Sequence, residues 1–200
     1  MKKKILVTGF EPFDGAEENP SWEAVRRLPD TDEEWELRKI CLPVLYEKAA
    51  DQVIAFCEDW MPDYILCAGL AGSRKAVTPE TLGGNIRTLG RADEGGFIPQ
   101  DLKIDPEGPD FIISPLPVDA MSDRLNAAGI RAYVSTSAGA FVCNDLFYHL
   151  LRRFGSGPPL CGFVHLPPAE VLSFPDGARA LLLCIDEMIH TKKEDNIQEE

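Results

Sequence analysis

Tyr64-Ile65-Leu66-Cys67-Ala68-Gly69 is an unbroken apolar run of strand length that ends on glycine. Such a run, too short for a full helix, is what a strand covered on both faces requires. Just before it, Tyr46 to Trp60 carries apolar residues at 49, 50, 53, 54 and 57, the three-and-four spacing of an amphipathic helix. Further upstream, Trp35 to Leu42 reads as a strand ended by Pro43, and Asn19 to Leu28 as a short helix entered through Pro20. Lys4 to Thr8 reads as a first buried strand, stopped by Gly9. Strand, helix, strand, helix, strand places this chain in the α/β class, with a parallel sheet and helices on its faces. In such sheets, sites form beyond the C-terminal ends of the strands, where Gly9-Phe10 and Gly69-Leu70 fall.

Downstream of this unit, residues 70–110 lose periodicity and are rich in Gly, Pro, Arg and Asp. So long an irregular segment within one domain suggests a functional loop system, with a small β excursion or a lid; a plain solvated loop is the alternative. Regularity returns with a short strand at 111–114, a helix over 118–128 stopped by Gly129, and a strand over 131–134. A helix follows Cys143, with apolar residues at 146, 147, 150, 151 and 154. Gly162 to Pro168 reads as a strand and Asp176 to His190 as a final helix. Residues 1–190 therefore form one expected domain, followed by a charged tail over 191–200.

Composition narrows the partners. A net charge of −13 on 200 residues opposes nucleic acid and anionic membrane surfaces, both of which need a positive field. No apolar run reaches the roughly 18 residues of a membrane span, and the stretch Ile5 to Val7 is too short for the core of a signal peptide. A cytoplasmic location is the default expectation. The six cysteines, at 41, 57, 67, 143, 161 and 184, include no pair with the spacing of a zinc knuckle or redox motif. G-x-G-x-x-G is absent after the first strand, which argues against a nucleotide site.

Chemistry concentrates in Ser135-Thr136-Ser137-Ala138-Gly139-Ala140-Phe141-Val142-Cys143-Asn144. Its Ser/Gly cluster has the composition of a helix start, and a cysteine there sits near partial positive charge that favours the thiolate. The alternative is a small buried apolar thiol, the usual fate of a free cysteine. Three histidines are candidate bases. His149 lies within the Cys143 helix beside arginines, and His190 ends the last helix. His165 alone ends a strand beside a loop, which makes it the natural partner of Cys143 if it is not simply structural. The serines at 135, 137 and 173 lack a G-x-S-x-G elbow, and no His/Asp/Glu cluster has metal-ligand spacing.

Several stretches together resemble the pyroglutamyl peptidase I family of cysteine exopeptidases. They are Val7-Thr8-Gly9-Phe10-Glu11-Pro12-Phe13 with Asn19-Pro20, Leu42-Pro43-Val44, Gly69-Leu70-Ala71-Gly72-Ser73-Arg74 leading to Glu80, Ser137-Ala138-Gly139 through Phe141-Val142-Cys143-Asn144, and Gly162-Phe163-Val164-His165-Leu166-Pro167. The resemblance implies a three-layer α/β/α sandwich with a mixed, mostly parallel sheet, a homotetramer, and a Glu80/Cys143/His165 triad with no metal or cofactor. It further implies a lactam pocket lined by Phe10, Phe13, Phe141 and Val142, backbone hydrogen bonds near Ala71, and an arginine near the thiolate, matched by Arg91. The family's Arg-Ile-Pro-Asp-Asn segment appears here as Gly90-Arg91-Ala92-Asp93-Glu94-Gly95, with the arginine displaced by about one position. The implied activity is removal of an N-terminal pyroglutamyl residue from peptides. Alternatives are a related amide or ester hydrolase of altered specificity, or a non-catalytic binder of pyroglutamyl peptides.

Overall fold

A computed structural model describes residues 1–191; of the expected tail, all but Thr191 lies outside the described residues. Among the described residues, seven strands and five helices follow one another: β1 (Lys3–Phe10), α1 (Pro20–Val25), β2 (Trp35–Leu42), α2 (Lys48–Trp60), β3 (Tyr64–Leu70), β4 (Thr78–Pro79), β5 (Leu82–Gly84), β6 (Phe111–Ile113), α3 (Val118–Ala127), α4 (Val142–Phe154), β7 (Leu160–Leu166) and α5 (Phe174–His190). The main sheet has the order β2-β1-β3-β7-β4, parallel throughout except for β4, which runs antiparallel to β7. β5 and β6 form a separate antiparallel ribbon.

Alternation along the central strands divides the core into two layers. Ile65 and Cys67 of β3, with Cys161 and Phe163 of β7, face α2 and α4; Leu66, Ala68, Val164 and Leu166 face α1, α3 and α5. The result is the mixed, mostly parallel α/β/α sandwich. Full burial of each large apolar side chain contributes about 1.5–3 kcal/mol, so both layers matter to stability.

Two expectations need correction. β1 does not stop at Gly9 but runs on to Phe10, which is buried rather than a loop aromatic. Glycine is needed there because α1 crosses it: a Cβ on Gly9 would lie 2.7 Å from the backbone of Trp22. The expected strand over 131–134 is likewise absent. That backbone instead lies beside residues 77–81 through two isolated parallel bridges, Val77 with Ala132 and Glu80 with Ser135. β4 offers it only two residues, one of them a proline without an N–H.

Because the contact at Gly9 is with backbone, no side chain can rotate away from an added methyl. Gly9→Ala is expected to lower unfolding free energy by about 1–3 kcal/mol, read from the urea midpoint, with an unchanged midpoint as the contrary result.

Candidate active site

Gly69 and His165 are partners in the parallel β3–β7 register, so both direct toward the same face of the sheet. Above them lies the start of α4. A Cβ on Gly69 would sit 2.8 Å from Cys143 Sγ and 2.8 Å from the tip of the Phe163 ring, so glycine here is what lets the sulfur descend onto the sheet. Two positions before His165, Phe163 packs its ring 4.7 Å from the imidazole, centroid to centroid. Residues 22 positions apart in sequence are thus brought to one spot by strand register and a missing side chain.

Glu80 arrives from the opposite direction. It follows β4, whose Thr78 pairs with His165, and its own N–H donates to Phe163 O at 2.9 Å. The carboxylate is completely buried and its Oε1 lies 2.7 Å from His165 Nδ1. In a neutral imidazole, a carboxylate accepting at Nδ1 holds the ring proton there and leaves Nε2 as the acceptor. Arg74, in the β3–β4 loop, also donates to Glu80 Oε1 and to Thr78 Oγ1, and reaches Ser137 O at 2.7 Å. Neither composition nor spacing singled out Arg74; its place six residues before Glu80, on the other side of β4, was the available signal.

Cys143 is the second residue of α4, partly exposed to the cavity but surrounded mostly by protein. Burial pushes its thiol up to about 12; Cys67 and Glu80 add to this, while Arg74 and the residue's own backbone N–H oppose it. Burial thus opposes the thiolate that a helix start favours. Cys67 and Cys184 are pushed to about 12 as well, so acidity does not distinguish Cys143. Its neighbours do. Nor does the Ser/Gly cluster cap α4: Phe141 occupies the N-cap and no side chain bonds to the first turn, which leaves its N–H groups directed at the cavity end.

The next two residues anchor the helix start. Asn144 accepts from Gly84 N and donates to Gly84 O and Ile86 O at 2.8–2.9 Å, fastening β5 to α4. Asp145 forms a buried ion pair with Arg87 at 2.6 Å.

Phe10, Phe13, Val44, Leu70, Phe141 and Val142 contribute apolar walls to a cavity of about 660 Å³ that opens over Cys143 and His165. Arg91 is on its rim, with its side chain about half exposed. It stacks on Phe141 at 4.1 Å and pairs with Asp14 at 2.9 Å, both partners largely exposed. The cation near the buried carboxylate is Arg74. Ala71 also lines the cavity, but its N–H already donates to Leu166 O and its C=O accepts from Arg74 N. Among the described residues there is no cluster of three potential metal ligands.

The pyroglutamyl peptidase family model matches residues 3–191. The chain belongs to the pyroglutamyl peptidase family. Pyrrolidone-carboxylate peptidase of Bacillus subtilis is 39% identical over 170 residues, covering 84% of this chain and 79% of the relative. The enzyme of that name from Lactobacillus acidophilus is 38% identical over 172 residues, with 84% and 86% covered. Among solved structures, pyroglutamyl peptidase I from Bacillus amyloliquefaciens superposes with a TM-score of 0.90 at 32% identity, covering 96% of this chain and 97% of that one. Pyrrolidone carboxyl peptidase from Thermus thermophilus gives 0.84 at 36% identity, over 92% and 99%.

Asn144 is almost fully buried, and truncating it removes three hydrogen bonds to the backbone of Gly84 and Ile86. Asn144→Ala is expected to cost about 2–4 kcal/mol in urea unfolding; a loss below about 0.5 kcal/mol would show that β5 is held by other contacts.

Proposed function

We propose that this protein is a cysteine exopeptidase that removes N-terminal pyroglutamyl residues from peptides, with Cys143 as nucleophile, His165 as base and acid, and Glu80 orienting the imidazole. The observation that carries the reading is the stacking of three elements at one point: Cys143 Sγ over Gly69, His165 beside it in register, and Glu80 Oε1 on His165 Nδ1. The catalytic unit is the single α/β domain of residues 1–190.

A thiol held near 12 needs a base to become a nucleophile at neutral pH. His165 Nε2, free because Nδ1 is bound to Glu80, takes the thiol proton as sulfur attacks the pyroglutamyl carbonyl. The uncapped N–H groups at the start of α4 receive the developing oxyanion, and the helix dipole favours its charge. The imidazolium then gives its proton to the leaving amine, and the thioester is hydrolysed by water activated at the same ring. Glu80 stabilises the transient imidazolium without taking the proton.

The cavity suits an uncharged lactam. Phe10, Phe13, Phe141 and Val142 supply flat apolar surface, and neither carboxylate near it is free to receive an amine: Asp14 is paired with Arg91, and Glu80 with Arg74. Arg91 and the backbone around Ala71 bound the slot at its mouth and side. Pyroglutamyl peptides are the partners on this reading. Assembly as a homotetramer and a cytoplasmic location complete it; all six cysteines are free thiols, in keeping with a reducing compartment. Among the described residues, no helix is long and apolar enough to cross a membrane.

Cys143→Ser and His165→Ala should each reduce release of a pyroglutamyl-linked chromophore by about 10⁴-fold or more, while Cys67→Ser retains it. Prolyl and free-amine analogues should turn over far more slowly than the pyroglutamyl substrate. Full activity in Cys143→Ser would end the proposal. Gly69→Ala should lower kcat at least about 10-fold by displacing the sulfur, and wild-type kcat would show the close approach to be dispensable.

A further inference from the structure

Both side-chain partners of Glu80, Arg74 Nη1 and His165 Nδ1, meet the same oxygen, Oε1, while the buried Oε2 has no partner. A fully buried carboxylate requires a compensating charge. A guanidinium supplies it at every working pH, whereas an imidazole supplies it only when protonated. With Arg74 charged and Glu80 ionised, a neutral His165 and a protonated Cys143 leave this buried set at net zero. Adding a proton to His165 makes it positive. Without Arg74 the same set is negative, and a proton on His165 restores neutrality.

Resting on the Cys143/His165/Glu80 reading above, we propose that Arg74 is a positioning residue that satisfies the Glu80 charge so that His165 rests unprotonated and able to act as base. Its second branch has a mechanical role. By donating to Ser137 O, Arg74 ties the loop leading to Cys143 to the carboxylate that orients His165. One side chain thus couples the charge state of the base to the position of the nucleophile's helix.

Few other groups can set this balance. Facing His165 are Glu80 from the end of β4, Arg74 from the β3–β4 loop and Cys143 from α4, with Cys67 one pleat away on β3. The other charged residues lining the cavity, Arg91 and Asp14, neutralise each other at the rim.

The test is the pH profile of kcat/KM on a pyroglutamyl chromogenic amide for wild type, Arg74→Met, Arg74→Lys and the double variant Arg74→Met/Glu80→Gln. Arg74→Met should move the acid limb upward by about one pH unit or more and lower kcat at neutral pH, with a much smaller change in KM. Removing both charges in the double variant should bring the limb back down relative to Arg74→Met. Arg74→Lys retains the charge but not the fork, so its limb should stay within about 0.3 unit while kcat falls. A loss that is uniform with pH in Arg74→Met, with no displaced limb, would overturn the inference. If Arg74→Met does not fold, a full-unit displacement in Arg74→Lys would overturn it equally. Cys143→Ser separates the two levels: activity there refutes the triad itself, whereas an inactive Cys143→Ser with an unmoved Arg74→Met limb refutes only the role of Arg74.

Discussion

A sulfur atom resting where glycine leaves no Cβ is the contact on which the site is built. Cys143 Sγ and the Phe163 ring both occupy the space above Gly69, each within 2.8 Å of where a methyl would stand. Such packing works only if β3 and β7 hold their register, because a one-residue slip would turn His165 to the other face. It also requires α4 to begin at this height above the sheet, and Asn144 and the Asp145–Arg87 pair set that height by fastening the helix start to neighbouring backbone and loop. Stability and chemistry therefore share residues: 143 carries the thiol, and 144 and 145 hold it in place.

Burial makes charge costly at the proposed triad. It raises the thiol to about 12, which keeps the nucleophile inert until a base acts. The buried Glu80 carboxyl is paired with Arg74 as well as with the imidazole. On the proposed reading the proton moves during attack, unlike a preformed thiolate waiting at a helix terminus. The absent side-chain cap on α4 fits this economy of charge, since its first N–H groups are left for an oxyanion.

Apolar periodicity made much of the architecture legible. The runs at Lys4–Thr8, Trp35–Leu42 and Tyr64–Gly69 fall on strands, as does Gly162–Pro168 as far as Leu166, and the helices expected over Tyr46–Trp60, over 118–128, after Cys143 and over Asp176–His190 fall on α2, α3, α4 and α5. Less was legible where contacts are made by backbone or by distant residues. Gly9 reads as a strand terminator, yet it lies within β1 because α1 needs the space. The 131–134 segment has strand composition but meets only a two-residue, proline-containing edge.

By itself the sequence determined the α/β class, the alternation that separates two helical layers, and a short list of reactive side chains, because periodicity and residue chemistry are local properties. The family resemblance added Glu80, whose spacing carries no signal of its own. Only the tertiary structure decided which groups meet. It placed Arg91 on the cavity rim and Arg74 on Glu80, engaged the Ala71 N–H within the protein, and made the Cys143 thiol weakly acidic despite its helix-start position. The physical reason is that hydrogen bonds, charge pairing and desolvation depend on distances between strands and loops remote in the chain, which no local pattern encodes.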